Sequence, residues 1–268
     1  MDKTQKRRVI AAGLAIMAAS TVTACASPAS STGTGAQVSP AVAKLVDEVT
    51  GIPFTASDQN SAVVPLARAS TLRGPALTEG GKPEVLYIYA QFCPYCGTEN
   101  WALLIALGRF GTFAGVNESR SANYPPIPPI DTWTFYGSSY TSSYLAFVPV
   151  ETYSNVLVSP KANPLEATSY RLVQKLTPAE QAVFDKVDKL HATPLTDFGG
   201  KSELVGSPVS PFPLENLSWS QLVTALRAHR GTAAGQIIGA ADAITADLCV
   251  LTGNKPASAC PPGIRVFQ

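Results

Sequence analysis

Two cysteines separated by two residues, Cys93-Pro94-Tyr95-Cys96, stand between an apolar run and an apolar helical segment. The run is Glu84 to Ala90, and the segment continues from Gly97 through Glu99 and Trp101 to Leu107. A strand, a Cys-x-x-Cys and a helix in that order suit a dithiol redox pair. The first thiol lies at the helix N-terminus, where unpaired N–H groups and the positive end of the helix dipole stabilise a thiolate. The thiolate is the species that attacks a disulfide. Two other chemistries use the same motif. A zinc site needs two more ligands at short spacing, and the chain offers only His191 and His229, far apart, with no second Cys-x-x-Cys. A structural bridge across two residues closes so short a loop that it removes little entropy from the unfolded chain. We therefore expect no metal and no cofactor, with Cys93 as nucleophile and Cys96 as its resolving partner.

The elements that must hold this pair follow from pattern. A strand over 84–90 precedes the motif, and a helix begins near Gly97. Residues 41–50 have the apolar spacing of a short helix, and Gly51 to Pro65 reads as irregular. Four prolines among residues 125–129 exclude a helix or central strand there and leave a surface excursion. Asp131 to Tyr136 and Tyr144 to Val150 read as extended, with the hydroxyl-rich Gly137 to Ser143 as a turn between them. Leu165 to Leu176 and Pro178 to Leu190 read as helices. The second has Thr177 as N-cap, Pro178 at the first position and Glu180 to complete a capping box. Thr193-Pro194 then opens a hairpin that turns at Gly199-Gly200 and returns through Leu204 and Val205. A helix starting at Ser218 and a longer one over Thr232 to Leu251 close the chain. Glu99 reads as a solvated helix residue and His191 as a loop residue.

The N-terminus points outside the cytoplasm. Lys3, Lys6, Arg7 and Arg8 precede an apolar core of 11 residues, Val9 to Ala19, too short to span a bilayer. Val22-Thr23-Ala24-Cys25 resembles the bacterial lipoprotein signal, in which the cysteine is acylated and becomes the mature N-terminus. Ordinary secretion with cleavage near Ala24 or Ala26 is the alternative. Residues 26–40 carry no charge and little apolar surface, the composition of a flexible tether. The expected organisation is a lipoprotein signal over 1–25, the tether over 26–40, an extension over 41–80, and one domain over 81–268 with a helical insertion at about 163–191.

Five cysteines are then accounted for: Cys25 by lipid, Cys93 with Cys96 by redox, and Cys249 with Cys260 by a structural disulfide. A relay of electrons from Cys93 to the late pair is the alternative. Net charge is +1 with no basic block in the mature chain, which excludes an electrostatic nucleic-acid binder. The expected partners are protein thiols or disulfides and, through the anchor, a membrane. The sequence carries no signal for oligomeric state.

The Cys-x-x-Cys after a first core strand, followed by Thr193-Pro194 and a glycine-turned hairpin, resembles the thioredoxin superfamily. Thr193-Pro194 resembles the pattern of extracytoplasmic thiol-disulfide oxidoreductases and isomerases, the helical insertion resembles the Dsb-type branch, and the Pro-Tyr pair is similar to that of glutaredoxins. The stretch from about residue 80 to Cys260 also resembles a prokaryotic family, catalogued as a domain of unknown function, that combines a Cys-Pro-Tyr-Cys motif, an Asp-x-Gly-Gly hairpin and a late cysteine pair. The resemblance implies an α/β thioredoxin-like fold, a central mixed sheet flanked by helices, with the helical insertion and extra C-terminal helices. It also implies that the backbone at Thr193 and Pro194 docks a substrate peptide beside Cys93. The chain departs from the pattern in having Phe92 before the first cysteine. It also lacks a carboxylate at the buried strand position near Tyr87. The function expected is a membrane-tethered thiol-disulfide oxidoreductase on the outer face of the cell membrane. The alternative is a non-catalytic binding or scaffold lipoprotein on the same fold.

Overall fold

In a computed structural model, the described residues are 38–54, 70–71, 75–187 and 191–262. The first helix, α1 (Pro40–Thr50), is set by Ser39, whose Oγ accepts from the Val42 N–H, and by a proline at its start. Ser39 and Pro40, which the sequence reading places at the end of the tether, belong to the start of this helix. The leader, Cys25 and residues 26–37 lie outside the described residues. Val46, Val49 and Ile52 join the main core, so residues 46–52 are part of the domain's packing.

Strands β1 (Ser70–Thr71), β2 (Thr78–Glu79) and β3 (Lys82–Tyr89) lead to the Cys-x-x-Cys motif and helix α2 (Pro94–Gly108). The helix begins three residues earlier than the spacing predicts. Pro94 has no N–H to lose and a φ already helical, so Cys93 becomes the N-cap. Then come β4 (Thr112–Ala114), β5 (Asn117–Arg120), β6 (Asp131–Thr134), β7 (Ser139–Thr141) and β8 (Ala146–Glu151). The expected turn over Gly137 to Ser143 contains β7, which pairs with β4. The hydroxyls there satisfy the backbone: Ser138 donates to the Phe135 carbonyl and Ser142 to that of Phe110.

Between β8 and the last hairpin lie β9 (Tyr153–Leu157), which precedes the expected insertion, and β10 (Tyr170–Leu172) and α3 (Pro178–Val187) within it. A helix over Leu165 to Leu176 is not formed. One 3-10 turn, Ala167–Ser169, leads into β10, which pairs antiparallel with β9. Tertiary pairing overrides a weak helical pattern: Tyr170 stacks on Phe92 with ring centroids 4.2 Å apart and is buried. The insertion is therefore one strand, paired with β9, plus one helix rather than a helical pair. Helix α3 has the expected capping box, with Thr177 N–H to Glu180 Oε2 at 2.6 Å and Glu180 N–H to Thr177 Oγ1 at 3.3 Å. The last residues of that expected helix, 188–190, lie outside the described residues. The chain closes with β11 (Leu195–Phe198), β12 (Ser202–Val205), α4 (Trp219–Arg227) and α5 (Thr232–Leu251).

The main sheet runs β1-β12-β11-β3-β2, antiparallel throughout, and β8 joins β3 in parallel from Glu84 to Tyr89. The fold is thus mixed α/β, with antiparallel ladders and five α-helices among the described residues. Side chains alternate across β3 and sort its two faces. Val85, Tyr87 and Tyr89 enter the main core with α2, α4 and α5. Leu86 and Ile88 enter a second cluster with Leu195 of β11 and Phe184 of α3. The turn between β11 and β12 needs glycine: Gly199 and Gly200 have φ of 65° and 68°, and a Cβ on Gly200 would lie 2.6 Å from the Pro75 carbonyl oxygen.

Helix α2 is buried on nearly every side and rests on α5, whose 18-residue apolar window is 72% buried. Helix α5 is long and apolar enough to cross a membrane, but that burial matches a core helix. At the C-terminal end of α2, Arg109 pairs with Asp242 of α5 at 2.7 Å, both side chains almost wholly buried. Arg109 also donates to the Ile52 and Pro53 carbonyls. Deleting one member of such a pair costs about 3–5 kcal/mol, because it strands a buried charge. Arg109 thus ties α1, α2 and α5 together at the end of α2 remote from the cysteines.

Candidate active site

Cys93 occupies the N-cap of α2 with extended backbone, and its sulfur accepts from the Cys96 N–H at 3.4 Å. Its thiol reaches the Thr193 carbonyl at 3.6 Å, across 100 residues of sequence. The Thr193–Pro194 peptide is cis. The structure thus brings Cys93, Cys96 and Thr193 together, and Pro194 follows directly into β11. Cys93 is 9% exposed and Cys96 is fully buried; both are free thiols.

The two thiols are electrostatically unlike. The hydrogen bond from Cys96 holds the Cys93 pKa below the ordinary thiol value, against the pull of burial and with help from the Cys96 and Tyr95 N–H groups. Burial pushes Cys96 well above it, and the adjacent Cys93 adds to the rise. The Ala90 N–H reaches Cys96 Sγ at 3.5 Å. The acidities of the two sulfurs are therefore displaced in opposite directions, Cys93 down and Cys96 up.

The start of α2 is pinned to the sheet below it. Tyr87 Oη donates to the Cys96 carbonyl at 3.3 Å and to Asn100 Oδ1 at 2.8 Å. Asn100 in turn donates to the Trp133 carbonyl at 2.7 Å, and Thr132 to the Gly97 carbonyl at 2.6 Å. Gly97 permits this approach, since a Cβ there would lie 3.2 Å from Ile130 Cδ1. Such fixing keeps the cysteine pair in one geometry.

Glu99 corrects the sequence reading. It is not solvated but fully buried, and neither carboxyl oxygen has a hydrogen-bond partner. Burial pushes its pKa up to about 8, and the nearby Ser207 hydroxyl offsets the rise in part without closing a hydrogen bond of ordinary geometry. It lies three residues after Cys96; burial pushes the Tyr87 pKa up, and Cys96 and Glu99 add to the rise. A signal was present in the sequence: α2 has no polar stripe, so a carboxyl in its first turns has no solvent face to occupy. Thr196 Oγ1 is also buried without a partner. It stands opposite Tyr87 in the β3–β11 ladder, hence on the same face of the sheet.

His191 is a loop residue with φ of 50°, paired with Asp185 at 2.7 Å. Cys249 and Cys260 form a disulfide with Cα atoms 5.7 Å apart, tying the end of α5 to the C-terminal segment. Among the described residues no group of three or more His, Cys, Asp and Glu side chains converges as a metal site would.

No curated protein and no solved structure is significantly similar to this chain. One family, described as Domain of unknown function (DUF929), matches residues 71–250, well over half of the chain and a span that holds Cys93, Cys96, Glu99, Thr193 and Pro194. The protein that carries this paired-thiol site therefore belongs to the DUF929 family.

Proposed function

We propose that the protein is a thiol-disulfide oxidoreductase of thioredoxin-like fold, acting on protein cysteines outside the cytoplasm. One observation carries the reading: the opposite displacement of two adjacent thiols, Cys93 down and Cys96 up, at a helix N-terminus facing the Thr193 carbonyl. In the reductive direction the Cys93 thiolate attacks a substrate disulfide. A Cys93–substrate disulfide forms and one substrate thiolate leaves. Cys96 then gives up its proton and attacks the Cys93 sulfur, which releases the second substrate thiolate. The substrate gains two electrons and the Cys93–Cys96 disulfide holds the oxidised state; the oxidative direction is the reverse. When Cys96 leaves as a thiolate in that reverse step, it needs a proton. Glu99, one helical turn on and protonated at neutral pH, is the buried group suited to return it.

The lipoprotein-like signal ending at Cys25 supports attachment to the outer face of a membrane. A second reading, a binding or scaffold protein without turnover, is favoured by the low exposure of both sulfurs. The reduction potential of Cys93–Cys96 separates the two. Equilibration in glutathione or dithiothreitol buffers should give a value above about −200 mV for an oxidase or isomerase, or near about −270 mV for a reductant. A value well below about −300 mV marks an inert bridge and sinks the enzyme reading.

A further inference from the structure

Half of the eight large apolar side chains exposed among the described residues belong to the β9–β10 hairpin and its tip: Val156, Val158, Leu165 and Leu172. Val158 is the most exposed of the eight, at 64%. The pairing explains why the valines are outside. Tyr153, Leu157 and Tyr170 turn inward and pack against the main core. Side chains alternate along a strand, so Val156 and Val158, which flank Leu157, stand on the outer face. The exposed Arg171 adjoins Tyr170, which pairs with Leu157 between the two valines. Local hydrogen bonds fix the tip. Tyr170 Oη donates to the Pro164 carbonyl at 2.9 Å, and Asn163 Oδ1 accepts from the Leu165 N–H at 3.1 Å. Lys161 and Arg171 are the basic residues of 153–172, and Glu166 is the one acid, engaged by Asn163 Nδ2 at 2.9 Å. Neither basic side chain forms an ion pair among the described residues. Apolar side chains gathered at the surface mark an interaction site. These are aliphatic and flanked by free cations, whereas the anchors of protein interfaces are mostly Trp, Tyr and Arg in pockets. Aliphatic groups beside Lys and Arg are what the headgroup boundary of an acidic bilayer accepts.

We propose that the outer face and tip of the β9–β10 hairpin rest on acidic phospholipid, with Val156, Val158 and Leu165 entering the headgroup boundary and Lys161 and Arg171 set against lipid phosphates. The inference rests on the membrane-attachment reading and names the surface that meets the bilayer. Residues 26–38 join Cys25 to the N-cap of α1. A Gly/Ser-rich chain of that length spans about 20 Å on average and about 50 Å at most. An acyl group on Cys25 therefore offers lipid to the domain at high effective concentration, and a weak second contact suffices. The contact also orients the redox pair. Tyr170 of the hairpin stacks on Phe92 with centroids 4.2 Å apart, and Phe92 immediately precedes Cys93. A hairpin seated on lipid holds Cys93 at a fixed height and directs exchange to cysteines close to the bilayer.

The test uses the full chain from the producing cells, reconstituted in vesicles of phosphatidylcholine and acidic phosphatidylglycerol, with or without bromine on the acyl chains. Val158→Trp places a fluorescent reporter on the hairpin. Val250→Trp places one at a site 60% exposed, beside Leu251, which abuts Gly199 at the end of β11 remote from Thr193. Brominated lipid should quench about half of the emission added by Val158→Trp and leave that of Val250→Trp unchanged. Lys161→Glu combined with Arg171→Glu should weaken the quenching at least about fivefold, as should vesicles of phosphatidylcholine alone. Equal emission of Val158→Trp in brominated and plain vesicles, from a chain that floats with the lipid, overturns the hairpin contact and leaves the attachment reading standing. A protein that shields residue 158 in that case takes the face instead. Equal quenching of both reporters also overturns the contact. Mass spectrometry of the N-terminal peptide reads the anchor separately: a chain that carries no acyl group and stays behind when the vesicles float overturns both readings.

Discussion

The two cysteine pairs of this domain are built for opposite ends. Cys249 and Cys260 are 11 residues apart, join the last turn of α5 to the segment after it, and exist as a disulfide. Cys93 and Cys96 are free thiols two residues apart; the hydrogen bond from Cys96 lowers the Cys93 pKa, and burial raises that of Cys96. Loop length explains the first pair: tying a longer loop removes more entropy from the unfolded chain. It cannot explain the second, whose short loop offers little stabilisation. What the second pair has instead is electrostatic asymmetry, and asymmetry is what directs attack to one sulfur and departure to the other.

The sharpest way to break this contrast is to remove one sulfur of the first pair. Cys93→Ser should lower disulfide exchange at least about a thousandfold, as expected when a nucleophile is lost. Cys96→Ala should instead accumulate mixed disulfides visible on non-reducing gels. A Cys93→Ser variant that exchanges as fast as the parent protein ends the argument for an attacking role. Alkylation sharpens the same contrast without mutation. In the reduced protein Cys93 should label with half-maximal rate at a pH below the ordinary thiol value of 9.0, and Cys96 only far above it. Mass spectrometry of the labelled peptides should show about a tenfold preference for Cys93 at pH 7. Matching rates for both would mean that the helix start does not distinguish them.

Glu99 tests whether the asymmetry extends below the cysteines. Its folded pKa, about 8, lies above the ordinary 4.5, so its ionisation is harder in the folded protein. The stability it permits is full below about pH 4.5 and is lost as pH rises through about 8. Glu99→Gln should therefore stabilise the domain by up to about 3 kcal/mol at pH 7, read from denaturant midpoints, with little effect at pH 4. If Glu99 also exchanges protons with Cys96, the variant should flatten the pH dependence of the resolving step between pH 6 and about 8. Stabilisation with an unchanged pH profile would leave Glu99 as a structural liability only.

The course of the chain around the site was readable where local chemistry and tertiary demand agree. Thr177 and Glu180 mark a capping box and Gly199-Gly200 a turn that tolerates positive φ, whereas the start of α2, read near Gly97, lies at Pro94. Legibility failed where a distant partner decides. Tyr170 and Leu172 form a strand because Tyr153–Leu157 lies beside them and Phe92 waits for the Tyr170 ring, and no window around residue 170 contains that information. Glu99 was misplaced for a related reason: a charged residue is solvated by default, and only the packing of α5 and the sheet around α2 overrules it.

The smallest expected effect concerns the other pair. Cys249 is fully buried, and Cys260 is 7% exposed. Replacing both by serine should cost about 2–3 kcal/mol in the chain-entropy picture, since the loop they close is short. Leaving two hydroxyls buried in place of the bridge adds to that cost. The comparison then makes a demand on the redox pair. Because α5 supports α2 through the buried Arg109–Asp242 pair at the end remote from the cysteines, loss of the bridge should lower the unfolding midpoint without moving the reduction potential of Cys93–Cys96. A shift of about 30 mV or more corresponds to roughly a tenfold change in the exchange equilibrium. It would mean that the late pair relays electrons or shapes the first pair, and the division of labour between the two would not stand.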